Sequence, residues 1–360
     1  MNLTTVFLLF GGLGLFLYGM KLMSEGLEKA AGAKMRGILE LFTKNRFIGM
    51  VVGILFTGIV QSSSATTVMV VSFVNSGLMN LQQASGVILG ANIGTTVTGQ
   101  LIAFDLSEIA PLFVITGVVM VMFSKRMNIK KIGEIVLGFG ILFMGLSIMG
   151  DSMTSFKDSP YVIDFLRTLR NPVLAILAGF VITAVLQSSS ATVGVIILMA
   201  SQGLLEFGIC PFLILGCNMG SCVSALLASL GGKKDAKRAA LIHFLFNVIG
   251  SAVIFVILMT ALTPLTNFML SVSGGNVARA VANTHTAIKI CEVIILFPFM
   301  GWVVKATYKI VPGTDTESEG GFELKYIGKG APMSVSTVIT DVIHEIERMR
   351  QLAIQNLQTG

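Results

Sequence analysis

Gln61-Ser-Ser-Ser-Ala-Thr66 recurs in this 360-residue chain as Gln187-Ser-Ser-Ser-Ala-Thr192, an offset of 126 residues (187 minus 61). The same offset carries Gly90-Ala-Asn92-Ile-Gly94-Thr95 onto Gly216-Cys-Asn218-Met-Gly220-Ser221. Asn45, Gly53, Thr57 and Gly77 fall on Asn171, Gly179, Thr183 and Gly203. At the front of each copy Gly12, Gly14, Gly19 and Met23 fall on Gly138, Gly140, Gly145 and Met149. The register breaks after residue 104, where the second copy inserts Gly231 to Arg238. One unit has been duplicated, and its polar run has been kept in register.

That run sits in an apolar desert. No charged residue occurs from Phe47 to Phe104, and only Glu206 from Asn171 to Leu230. Over the whole chain 54% of residues are hydrophobic and 12% charged, with a mean hydropathy of +0.84. Soluble domains carry roughly 25% charge. Apolar stretches near spanning length recur at 4–23, 47–60, 64–79, 84–104, 109–123, 132–150, 173–186, 192–205, 208–230, 239–262 and 281–304. Several fall short of the about 20 residues needed to cross a bilayer, so they read as half-spans. The first stretch lacks a basic start and reads as a span, not a cleaved signal. The composition predicts an all-α polytopic membrane protein. Gly-x-Ser-x-Gly, His-Glu-x-x-His and P-loop motifs are absent, so no enzyme is expected. The net charge of +6 lies in short loops and points to membrane orientation, not to nucleic acid. Cys210, Cys217, Cys222 and Cys291 lie in apolar segments without metal-ligand spacing and read as small core residues.

Matching loops differ in charge, and in alternating directions. Loop 25–46 carries Lys29, Lys34, Arg36, Lys44 and Arg46 against three Glu, whereas 151–171 balances three Asp with Lys157, Arg167 and Arg170. The loop at Asp105 and Glu108 is acidic, whereas its counterpart holds Lys233, Lys234, Lys237 and Arg238. The positive-inside rule then places the two copies in opposite senses, as inverted-topology repeats. On this path the N-terminus, 105–108, 151–171 and 263–280 lie outside. Residues 25–46, 125–131, 231–238 and the tail from 305 lie inside. The segments between 46 and 105 need an odd number of crossings, either three or one plus a re-entrant hairpin. The polar run favours the hairpin, because irregular backbone at membrane depth survives only inside protein or beside water. The predicted divisions are repeat 1 at 1–126, repeat 2 at 127–310, a linker at 311–332 and a cytoplasmic amphipathic helix at 333–360. In the last, Val338, Val342, Ile346, Met349 and Leu352 recur at helical spacing.

Each Gly-x-Asn-x-Gly element suits a broken helix, whose freed N–H groups attract anions and whose carbonyls and nearby hydroxyls suit Na⁺. Small residues packing one helix on another are the plainer reading of the glycines. The sequence places no Lys, Arg, Asp or Glu beside these motifs. An anion would have to be held by hydroxyls, N–H groups and helix N-termini with co-bound cations, which favours sodium over proton coupling. Thr57, also duplicated but one turn before the run, should matter less to transport if its hydroxyl only bonds back to its own helix. Later in the chain His243 and Asn247 stand at i,i+4. His285, Lys289 and Glu292 share a face, where Lys289 and Glu292 can pair at i,i+3, as a gate or cation-sensitive site or, the favoured reading, as a satisfied interhelical pair.

The paired Gln-Ser-Ser-Ser runs, the two Gly-x-Asn-x-Gly elements and Gly14-Leu-Phe-Leu-Tyr-Gly19-Met20 resemble the type II sodium/phosphate cotransporter family, in its bacterial branch. The resemblance covers about 1–310. It implies sodium-driven uptake of inorganic phosphate by alternating access across the cell (inner) membrane. It implies a phosphate site at Gln61, Ser62, Ser63, Ser64, Gln187, Ser188, Ser189 and Ser190. Its sodium candidates are Gln61, Thr66, Asn92, Thr95, Gln187, Thr192, Asn218 and Ser221. The expected partners are phosphate, sodium ions and lipid, with a homodimer left open. No cofactor is expected beyond Na⁺ as the coupling ion. The tail helix resembles the first helix of a PhoU-like domain, so a sensing subunit that binds phosphate without moving it remains an alternative, as does another small anion. Two departures stand out. The family's late His-Thr-x-Phe-Asn run reads His285-Thr286-Ala287-Ile288-Lys289 here, and Thr67 becomes Val193 in the second copy.

Overall fold

A chain this apolar has little water to bond its backbone, so its N–H and C=O groups must satisfy one another locally. The computed structural model describes residues 3–42, 45–157, 159–313 and, in the tail, 344, 346–351 and 354. Among the described residues the regular structure is helical, without a strand. The helices are α1 (Leu3–Phe42), α2 (Arg46–Val60), α3 (Ser63–Asn75), α4 (Leu81–Gly94), α5 (Thr96–Ile102), α6 (Ala110–Phe123), α7 (Met127–Thr154), α8 (Pro160–Thr168), α9 (Pro172–Leu186), α10 (Ser189–Ser201), α11 (Cys210–Gly220), α12 (Cys222–Ser229), α13 (Lys234–Val272), α14 (Val277–Leu296) and α15 (Met300–Ile310). Five helices are long and apolar enough to span a bilayer, or up to seven spans if each of two bent helix pairs counts as one.

The internal duplication is visible in the helix boundaries. Helices α2 to α5 and α9 to α12 match element by element at the sequence offset. Helices α1 and α7 are also counterparts, and they pack directly on each other. A Cβ on Gly19 would lie 2.3 Å from the Leu142 backbone nitrogen, and one on Gly138 would lie 2.4 Å from that of Met23. Gly12 abuts Gly145 in the same way, at 2.9 Å from its carbonyl oxygen. Residue 12 therefore meets 145 while 19 meets 138, so the two counterparts run antiparallel. Side chains are absent at the crossing because the backbones themselves touch, which is how membrane helices gain dispersion contact without a hydrophobic drive.

Helices α2 and α3, of 15 and 13 residues, are too short to cross about 30 Å of hydrocarbon. They form the hairpin that the sequence favoured, and α9 with α10 forms the second. The end of α3 is fixed at one face, where Asn75 Oδ1 accepts the Lys233 N–H at 2.8 Å. The end of α10 lies at the other, where Ser201 and Gln202 line a cavity with Asp105, Ser107, Asp151 and Asn276. The stretch from Leu81 to Ile102, about 33 Å of helix, joins the first face to the second. The hairpins thus enter from opposite faces. The loops expected to share a face do meet. Asp105 and Asp151 line one cavity, and Lys29 binds Glu134 at 2.8 Å beside Lys131, which donates to the Lys29 carbonyl at 2.9 Å.

The core forms two apolar clusters. One centres on Phe16, Phe143 and Ile214, the other on Phe56, Ile88 and Phe246. Cys210, Cys217 and Cys222 are buried and Cys291 is exposed, all as free thiols. Helix α13 is kinked at Ala261, three residues before Pro264. The proline lacks an N–H, and its ring crowds the turn before it.

Residues Met1–Gly313 make one compact unit and Thr314–Gly360 another. Within the second, the described residues 344, 346–351 and 354 are helical, and Arg350 pairs with Glu347 at 2.7 Å. The linker from 314 and residues 333–343 of the expected amphipathic helix lie outside the described residues.

Candidate functional site

Both Gln-Ser-Ser-Ser runs form the tips of the hairpins. Gln61 ends α2 in the left-handed region (φ 59°), its N–H bonded to Thr57 O at 2.8 Å, and Gln187 does the same to Thr183 at 2.7 Å (φ 53°). Glutamine carries a Cβ that costs about 1–2 kcal/mol in this conformation. Asp105 is the one other non-glycine at positive φ among the described residues. The next residue returns to extended backbone and caps the following helix. Ser62 Oγ accepts the Ala65 N–H, and Ser188 Oγ accepts the Ala191 N–H, each at 3.2 Å. An αL turn followed by an N-cap reverses the chain within two residues. The N–H groups of Ser63, Ser64, Ser189 and Ser190 then project from helix N-termini without intrahelical acceptors.

The two tips touch. Ser64 Oγ donates to the Gln187 carbonyl at 3.3 Å, and Ser224 Oγ of α12 donates to Ser64 Oγ at 3.3 Å. All eight residues of the two runs line one cavity of about 370 Å³. Two helix N-termini with hydroxyls therefore face a shared space, an arrangement that attracts an anion through N–H groups and the positive ends of both helices. Among the described residues the hydroxyls of Ser63, Ser189 and Ser190 make no hydrogen bond within the protein. Gln61 is braced, with Oε1 accepting from Thr98 at 2.8 Å and Nε2 donating to the Gly58 carbonyl. Gln187 is exposed to the cavity. Helix α1 supplies a wall that the duplicated motifs gave no hint of, with Met20, Lys21, Ser24, Glu25 and Glu28. On that wall Lys21 and Glu25 form an ion pair at 3.7 Å.

The sodium candidates divide into two groups. Thr66 and Thr192 are buried and tie each hairpin together. Thr57 donates to Thr66 at 2.9 Å and Thr183 to Thr192 at 2.9 Å, while Thr66 and Thr192 donate to the Ser62 and Ser188 carbonyls. Thr57 thus bonds across the hairpin and does not meet the condition of bonding only to its own helix. Asn92, Thr95, Asn218 and Ser221 lie at the breaks between α4 and α5 and between α11 and α12. There the backbone stays right-handed helical, at φ −57° for Thr95 and −62° for Ser221. The glycines of these elements serve packing: a Cβ on Gly90 or Gly216 would lie 2.0 Å from the carbonyl of Met50 or Ile176.

The reading that no titratable group stands beside the motifs is overturned. Lys289 of α14, 2% exposed, donates to Asn92 Oδ1 at 2.8 Å and to Asn247 Oδ1 at 2.7 Å. Glu292, 1% exposed, lies 3.3 Å from Lys289 and accepts from Asn218 Nδ2 at 3.3 Å. The pair on one helical face is present, and it is wired to the asparagine of both repeats. Spacing along α14 revealed the pair. Its attachment to residues some 74 and 197 positions away needed the fold.

A sequence profile described as Na+/Pi-cotransporter matches residues 15–151 and 162–300. The chain belongs to this family. It is a family of transporters, so this is a multi-pass membrane transport protein and not an enzyme. Similar to it are "Uncharacterized protein YqeW" of Bacillus subtilis, 29% identical over 82% of this chain and 95% of that one. "Putative inorganic phosphate export protein YjbB" of Salmonella typhimurium is 27% identical over 99% of this chain and 64% of its own length. "Sodium-dependent phosphate transport protein 2A" of Rattus norvegicus is 41% identical over 28% of this chain and 16% of its own. This chain therefore spans less than two thirds of these phosphate-named relatives. No solved structure matches it.

Proposed function

We propose that this chain is a sodium-coupled symporter of inorganic phosphate, with the two Gln-Ser-Ser-Ser tips as one anion site. The observation that carries the reading is the meeting of two helix N-termini, from oppositely inserted repeats, in a single polar cavity. A tetrahedral anion fits a site offering hydroxyl and N–H donors from two sides. Sodium ions bound at amide, hydroxyl and carbonyl oxygens near the tips offset its charge, with Gln61, Gln187 and the residues at the helix breaks as candidates. The preference for sodium rests on family membership, since Lys289 and Glu292 remove the argument from missing titratable groups. Coupling of this kind gives uptake wherever the sodium gradient points inward. The export in the names of some relatives belongs to those proteins.

Purified protein in liposomes should accumulate radiolabelled phosphate under an inward sodium gradient, with competition from arsenate but not sulfate. Equal uptake in choline and sodium media, abolished by a protonophore, would replace sodium by protons. Binding without accumulation would replace the transporter by a sensor.

Loop charge favours a topology with the N-terminus outside and 25–46 and 231–238 inside, which would put the Lys21 and Glu25 end of α1 toward the cytoplasm. Impermeant thiol reagents should label Glu108→Cys in intact cells and Lys237→Cys only after permeabilisation. Labelling of Lys237→Cys from outside refutes the orientation.

A further inference from the structure

We infer that the Lys289 ammonium is a tethered cation that fills, in the first repeat, a position built for a monovalent metal ion. The inference rests on the reading of this chain as a sodium-coupled transporter. Its geometry starts from the oxygens. Asn92 Oδ1 on α4, Asn247 Oδ1 on α13 and Glu292 Oε2 on α14 surround Nζ at 2.8, 2.7 and 3.3 Å. Two neutral amide oxygens and one carboxylate oxygen, all buried, are the donor types that hard cations take. The amides cannot be reversed. Asn92 Nδ2 is spent on the Ile88 carbonyl and Asn247 Nδ2 on the His243 carbonyl, each at 2.9 Å, which turns both oxygens toward the charge. The acceptors come from three helices and include the asparagine that the duplication kept in both repeats.

The second repeat shows the contrast. Asn218, the counterpart of Asn92, donates Nδ2 to Glu292 Oε1, and its Oδ1 has no partner among the described residues. The pair thus breaks the twofold relation, with the cation toward one asparagine and the carboxylate toward the other. Helix α13 also carries His243 and Asn247 at the same i,i+4 spacing that α14 uses for His285 and Lys289. At the position equivalent in that spacing an amide stands on α13 and an ammonium on α14. A metal ion there could leave with the substrate. A side-chain ammonium cannot, so this position, its charge balanced by Glu292, takes no transported ion.

Replacing the ammonium by an amide should open the position to sodium. Purified Lys289→Asn should bind one more equivalent of radiolabelled sodium than the wild-type protein. Its melting temperature should rise further on exchange of choline for sodium, by on the order of 3 °C beyond the wild-type response at ten times the dissociation constant. Lys289→Arg, which keeps a charge, and Lys289→Asn/Glu292→Gln, which removes the carboxylate, should show neither gain. Recovery of folded Lys289→Asn in sodium but not in choline supports the inference equally. The same sodium response as wild type, or collapse in both salts, overturns it. Neither readout requires phosphate to move, so a failed liposome assay would refute symport and leave this test standing.

Discussion

Gln61→Ala/Gln187→Ala protein is expected to fold and to lose phosphate and sodium affinity by a hundredfold or more. Each glutamine is the residue at which a hairpin reverses, and both line the one cavity. A lost hydrogen bond to a charged ligand costs roughly 1.5–3 kcal/mol, or about ten- to a hundredfold in affinity. Alanine has no easier access to the left-handed region than glutamine, and loss of the Gln61 bonds to Thr98 and Gly58 should lower stability modestly without undoing the hairpin. Gln61→Gly/Gln187→Gly sharpens the test. Glycine relieves the strained φ and should raise stability, while abolishing transport to the same degree. Near-normal affinities in either double variant, measured by isothermal titration on purified protein, would remove the tips from the site. Ser63→Ala and Ser189→Ala probe hydroxyls without a partner among the described residues and should each weaken binding without loosening the hairpins. Thr57→Ala is no neutral control, since it deletes the bond that ties α2 to α3.

Glu292→Leu should destabilise the protein by about 3–5 kcal/mol, because it strands a buried ammonium. Asn92 and Asn247 would still accept from Lys289, but neither carries the compensating charge. Lys289→Met/Glu292→Leu removes both charges and should recover most of the loss, as isosteric apolar replacement of buried pairs often does. A double-mutant cycle read by thermal unfolding in detergent gives the coupling directly. Additive single and double effects would show that the two groups do not interact. The same cycle separates a structural pair from a functional one. If the stable double variant still transports with unchanged sodium dependence, the pair is only a clamp between repeats.

The duplicated sequence by itself determined the membrane class, the two repeats, their opposite senses and the hairpin turn at each polar run. These follow from local causes. Apolar length decides burial in lipid, alternating loop charge reports that the two copies run in opposite senses, and a polar run between two half-length apolar segments decides where the chain must reverse. The tertiary structure decided what the duplicated asparagines do. Asn92 and Asn218 read as site residues at helix breaks, yet their side chains meet Lys289 and Glu292, which lie far along the chain on α14. It also decided that the glycines around them admit the backbone of a neighbouring helix, that Thr57 braces a hairpin, and that α1 walls the cavity. Periodicity and composition record what a residue meets within a turn or two of its own helix. Which side chain lies across the interface depends on the rotation and depth of a separate helix, and those are set by packing over the whole bundle.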